Sequence, residues 1–201
     1  MIINNYKCVF VHVPRTGGTS IEKFFIDNVD EKLKSQVRWV EEWENHEQHL
    51  SIQEMLKYNL IDENIMKSYT FFGFVRNPWD LMLSEYKRHQ TDKWSSFEKY
   101  ILAMPTLIGS RYTDKRFIYI QPQHKYFDTS EICENLVVKK FESLCDSFDD
   151  IKELIGLPEK NLPHENPSTK SKPYQEFYTP EMKSIVRDIY AEDIERYNYE
   201  F

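Results

Sequence analysis

Gly17 and Gly18 stand side by side in a chain of 201 residues that holds only five glycines. The segment around them reads Val13-Pro14-Arg15-Thr16-Gly17-Gly18-Thr19-Ser20. Before it lies a β-rich run, Cys8 to Val13, which Pro14 ends. After it, Ile21, Phe24 and Phe25 fall at i, i+3 and i+4, the apolar face of a helix that Thr19 or Ser20 is expected to cap. A strand, a tight glycine turn and a fresh helix belong to an α/β fold and make an anion site. Paired glycines let the main chain approach a phosphate closely, and the helix start aims free N–H groups and its positive dipole end at the charge. Arg15 adds a full charge, and Thr16, Thr19 and Ser20 add hydroxyl donors. The pattern G-x-x-x-x-G-K-[ST] does not occur, because no lysine follows the second glycine. The plainer alternative is a tight turn with a solvated arginine.

A second segment has similar chemistry. Tyr69 to Val75 reads as a strand, and Asn77-Pro78 opens a helix, with Asn77 as N-cap, Pro78 at the first helical position and Asp80 in the first turn. Arg76 stands between strand and helix, where its planar fork suits a phosphate. Ser84 follows two helical turns on; spacing alone does not tell whether it faces the same ligand. An ion pair holding two loops is the alternative role for Arg76. Elsewhere, Ser51 and Glu54 form a capping box for a helix to about Tyr58, and Phe97 to Met104 suggests a short helix. Asn135 to Val138 is a third strand, a helix runs from about Leu144 to Ile155 and stops at Gly156, and Thr179-Pro180 starts a last helix. Residues 91–130 are harder to read. Strands alternating with helices imply a largely parallel sheet, with ligands beyond the carboxyl ends of its strands.

The length suits one α/β domain, 1–201. A net charge of -7 speaks against broad nucleic-acid binding, so an anionic ligand needs a local basic site. Three widely spaced cysteines, Cys8, Cys133 and Cys145, suggest reduced thiols rather than disulfides or a zinc ribbon. No apolar run approaches the ~20 residues that span a bilayer, and the N-terminus lacks the apolar stretch of a signal peptide. A cytoplasmic protein without a transmembrane segment is expected.

Together the two segments resemble the sulfotransferases that use 3'-phosphoadenosine-5'-phosphosulfate (PAPS), above all the branch of carbohydrate sulfotransferases and small bacterial relatives. Lys140-Phe141-Glu142-Ser143-Leu144, Leu162-Pro163-His164-Glu165-Asn166 and the closing Tyr197-Asn198-Tyr199-Glu200-Phe201 extend the likeness over most of the chain. The resemblance implies a P-loop-like three-layer domain with a central, mostly parallel sheet flanked by helices. It implies PAPS as co-substrate, no metal, and a hydroxyl-bearing acceptor, expected to be a sugar. Arg15, Thr16, Gly17, Gly18, Thr19 and Ser20 would then hold the 5'-phosphosulfate, and Arg76 and Ser84 the 3'-phosphate. A late loop, here Asn166 to Lys172, would close over the nucleotide. One departure stands out: the family usually has lysine where this chain has Arg15, which keeps the charge but is a far poorer acid.

Transfer to a hydroxyl also needs a base. His49 precedes the capping-box helix, as a family histidine does, and is the first candidate; His46, three residues earlier, is the second. The two lack a nearby cysteine or third histidine, so a zinc site is not expected. Two rival readings remain: a nucleotide kinase or other P-loop phosphotransferase, which predicts a magnesium requirement, and a non-catalytic nucleotide-binding module.

Overall fold

The computed structural model describes residues 1–40, 45–90, 92–107, 121–129, 133–163 and 172–201. Trp43, residues 91, 108–120 and 130 of the stretch that resists reading, and the loop Asn166 to Lys172 up to Ser171 lie outside the described residues. The chain divides into two compact units, Met1–Val75 with Lys125–Asn166, and Arg76–His124 with Pro167–Phe201.

The first unit carries the sheet. Its strands are β1 (Ile2–Ile3), β2 (Cys8–Val11), β5 (Thr70–Val75) and β6 (Leu136–Lys140), in the order β1-β2-β5-β6. β1 pairs antiparallel with β2, whereas β2 with β5 and β5 with β6 are parallel, in register Phe10↔Phe72 and Phe72↔Val137. A small antiparallel pair, β3 (Trp39–Val40) and β4 (Asn45–His46), stands apart from it. The helices are α1 (Gly18–Asn28), α2 (Ile52–Lys57), α3 (Glu63–Ser68) and α6 (Leu144–Ile155). This is the α/β class expected: a mostly parallel sheet flanked by helices.

Side-chain alternation decides what each face of the sheet holds. Cys8, Phe10, Phe72 and Phe74 point to one side, where they pack with Ile21, Phe24 and Phe25 of α1 and Phe148 and Ile151 of α6. Phe10 stacks on Phe72 at 5.2 Å between centroids, and Phe24 meets Phe148 edge-on at 5.0 Å. Each large apolar side chain so buried contributes ~1.5–3 kcal/mol, enough for this one layer to fix the register of β2 and β5. On the other side Phe127 lies against Gly73, where a Cβ would come within 2.6 Å of its ring.

The second unit is helical: α4 (Pro78–Glu85), α5 (Phe97–Leu107), α7 (Pro180–Ile189) and α8 (Ala191–Arg196). Trp79, Met82, Tyr100, Ile101, Met104, Met182, Val186 and Tyr190 form its core. The Tyr178 hydroxyl donates to the Trp79 carbonyl at 2.7 Å, and the Trp79 indole donates to the Lys183 carbonyl at 3.1 Å, so α4 is tied to the start and middle of α7. Among the described residues, no helix is long and apolar enough to cross a membrane.

Candidate active site

The glycine turn between β2 and α1 is built differently from the serine or threonine cap expected. Gly17 is the N-cap, in the left-handed region at φ 80, and no side chain caps the helix. Thr19 and Ser20 lie inside the first turn instead. The physical reason is that Arg15 (φ 66) and Gly17 reverse the chain with positive φ values, so the helix begins earlier than a hydroxyl cap would allow. The consequence favours an anion: the N-cap brings no side-chain hydrogen bond to the helix N-terminus, and no acidic residue stands in the first turn.

Both glycines are required by their surroundings. A Cβ at Gly17 would meet the Leu144 side chain at 2.5 Å and the Phe141 ring at 3.2 Å. A Cβ at Gly18 would lie 2.0 Å from the His12 imidazole. Phe141 and Leu144, to which the sequence alone assigns no part in this turn, therefore wall it. The Thr16 hydroxyl donates to the Val13 carbonyl at 2.7 Å, so Thr16 can offer an anion its backbone N–H but not its hydroxyl proton. Arg15 is half-buried, Thr19 is exposed and Ser20 is buried.

Beneath the turn lies a pair that the sequence reading missed. His12, at the end of the β2 run, and Glu22, on α1, are each only 4% exposed, and Nδ1 of His12 lies 2.7 Å from Oε1 of Glu22. Burying a carboxylate is costly without a partner; here the imidazole N–H supplies one. His12 also stacks on Phe10 at 5.5 Å. The signal that could have exposed the pair is positional. Glu22 stands one residue after Ile21 on an otherwise apolar helix side, and His12 interrupts a wholly apolar strand.

His49 adjoins this pair. Its ring sits edge-on to that of His12, with centroids 4.3 Å apart, and is 8% exposed. Its Nδ1 lies 3.1 Å from the His12 carbonyl oxygen. A carbonyl only accepts, so Nδ1 carries the proton, and in the neutral ring Nε2 is then the basic nitrogen. The capping box holds the segment in place. The Ser51 backbone N–H donates to Oε2 of Glu54 at 2.8 Å, and the Glu54 backbone N–H donates to the Ser51 hydroxyl at 3.3 Å. His46 lies on the β4 backbone, and its side chain is outside the described part of the chain. Gly17, Gly18, His12, Glu22 and His49 thus converge in the first unit.

The second unit holds Arg76 and Ser84. Asn77 caps α4 through a bond from the Trp79 N–H at 3.1 Å, and Pro78 occupies the first helical turn, as read from sequence. Arg76 donates to Oδ2 of Asp80 from Nε at 2.8 Å, with the second guanidinium nitrogen 2.7 Å from the same oxygen. This ion pair is local to the helix start. Arg76, Asp80 and Ser84 recur every four residues and are half-buried, whereas residues 77–79, 81–83 and 85 are buried. They form one stripe along the helix, which spacing alone did not establish.

The model of the sulfotransferase family matches residues 1–200, and the chain belongs to that family. A crystal structure of a sulfotransferase from Alicyclobacillus acidocaldarius shares its fold, with a TM-score of 0.51 over 94% of this chain and 93% of that one at 14% sequence identity. Among curated protein sequences, none matches this chain.

Proposed function

We propose that residues 1–201 form one sulfotransferase domain that moves a sulfuryl group from PAPS to a hydroxyl of an acceptor, a carbohydrate or glycoconjugate. The observation that carries the reading is the N-terminus of α1 at Gly17 and Gly18, which no side chain caps, in the same unit as a histidine whose proton is committed to Nδ1. Such a helix start fits a phosphate: two glycines admit close approach, no acidic side chain competes, and Arg15 supplies charge. Arg15 and the backbone N–H groups from Thr16 to Thr19 would hold the 5'-phosphosulfate and meet the charge that grows on the leaving phosphate oxygen. Arg76 and Ser84 would hold the 3'-phosphate.

In the transfer the acceptor oxygen bonds to sulfur while the bond from sulfur to the phosphate oxygen breaks. The acceptor proton passes to Nε2 of His49. Arg15 replaces the family's usual lysine, so it stabilises the leaving group as a fixed cation and not as a proton donor. The group transferred is already activated, and positioning and charge stabilisation account for most of the rate. No metal has a part in these steps.

Calorimetry tests the reading. Expected is micromolar-range affinity for 3'-phosphoadenosine-5'-phosphate, unchanged by chelator. Tighter binding of ATP with magnesium would sink it in favour of a phosphotransferase.

A further inference from the structure

Arg76 follows the last paired residue of β5 and precedes the cap of α4, so its own main-chain groups lie at the junction of two ladders. The side chain of Gln123 takes both of them. Its Oε1 accepts the Arg76 N–H at 2.8 Å, and its Nε2 donates to the Arg76 carbonyl at 2.8 Å. This two-point contact copies what a neighbouring strand would give. Gln123 has no exposed surface.

Gln123 is held in turn. Asp193 of α8, also without exposed surface, accepts the Gln123 N–H at 2.7 Å, the His124 N–H at 2.8 Å and the His124 ring nitrogen Nδ1 at 2.7 Å. His124 Nε2 lies 3.2 Å from Oε2 of Glu192. Burial raises the Asp193 carboxyl above the usual range, and the two backbone N–H groups and His124 counter that shift. A buried carboxylate given three donors is an expensive arrangement unless it fixes something. What it fixes is the turn that carries Gln123, and through Gln123 the root of Arg76. Asp80 meanwhile fixes the guanidinium end.

We propose that Gln123 and Asp193 are positioning residues for Arg76, and that they set the preference for a nucleotide carrying a 3'-phosphate. The inference rests on the reading of Arg76 as the 3'-phosphate ligand. An arginine selects a phosphate at one position only when both ends of its long side chain are placed before binding; otherwise its rotamer freedom is lost at the moment of contact. Clamping the main chain at the root and the guanidinium at the tip removes that freedom in advance.

The test is calorimetry on the full chain with 3'-phosphoadenosine-5'-phosphate and with adenosine 5'-phosphate. The unsubstituted protein is expected to prefer the first, and Arg76→Ala to lose most of that preference. Gln123→Ala is expected to lose about tenfold of it, the worth of one or two net hydrogen bonds, with unchanged affinity for adenosine 5'-phosphate. Added to Arg76→Ala, it should take away no further preference. Should Gln123→Ala not fold, Asp193→Asn is measured instead, together with hydrogen exchange at the Arg76 amide, which should quicken as the preference falls. Full preference in whichever of these variants folds overturns the inference, as does an equal loss for both nucleotides, which marks general damage. If Arg76→Ala itself keeps the preference, the reading of Arg76 falls first and takes this inference with it.

Discussion

Single residues divide by whether their chemistry depends on near neighbours in sequence or on distant ones. Arg15, Gly17, Gly18 and Arg76 announce themselves because the phosphate site proposed for them, at a helix start, is a local device, complete within eight residues. His12 and Glu22 do not, because their pairing is made by the packing of α1 against β2 and has no spacing rule. Gln123 and Asp193, seventy residues apart, are illegible for the same reason. His49 lies between these cases. Its place before a capping box draws attention in the sequence, but only the bond to the His12 carbonyl shows which ring nitrogen holds the proton. His49→Ala is therefore expected to lower turnover by about 10²–10⁴-fold, the usual worth of a positioned base, and to leave nucleotide affinity nearly unchanged. Transfer of labelled sulfate to a true hydroxyl acceptor, beside calorimetry, measures both. Full activity in His49→Ala would place the base elsewhere, and loss in His46→Ala alone would move it to His46.

Elements were legible where their ends are chemically marked. Ser51 with Glu54, Asn77 with Pro78, and Thr179 with Pro180 each start the helix they predict, and Gly156 ends α6. The start of α1 was misplaced because a left-handed glycine can open a helix without a hydroxyl, and residue type does not reveal φ. β1, β3 and β4 are two residues each, too short for any period to show. β6 was found but is longer than read, since Lys139 and Lys140 pair with Phe74 and Val75 despite their charge. The capping box has a measurable role beyond starting α2, because it is two residues from His49. Ser51→Ala removes the hydroxyl that accepts the Glu54 N–H. It is expected to cost about 1 kcal/mol, within the range for N-caps, and to lower Tm by roughly 2–4 °C in a chain of this size. Thermal unfolding followed by circular dichroism reads this directly. An unchanged Tm would show that neighbouring contacts hold the segment without the cap.

For the whole molecule, charge and core pull in different directions. On the proposed function an acidic chain of net charge -7 binds a polyanionic nucleotide, so affinity would come from a few placed donors and not from a general field. Binding of that kind stabilises the folded state by mass action, and the cysteines can report it. Cys8 sits without exposed surface in the core of β2, and burial pushes its thiol up to about 12, so almost no thiolate forms in the native protein near neutral pH. Cys145 is exposed. With a thiol reagent at mildly alkaline pH, Cys145 is expected to react in the native state and Cys8 only through unfolding, which restores an ordinary thiol. The rate at Cys8 then follows the unfolded fraction. At a nucleotide concentration of about a hundred times Kd, stability rises by about 2.7 kcal/mol and Cys8 labelling slows about a hundredfold. 3'-Phosphoadenosine-5'-phosphate should give this protection without metal, and adenosine 5'-phosphate at the same concentration should give less. Peptide mapping by mass spectrometry assigns each label to its cysteine. Rapid native labelling of Cys8 would contradict the packing of β2 described here. Equal protection by both nucleotides would remove the 3'-phosphate from the account of binding while leaving the glycine turn as the anion site.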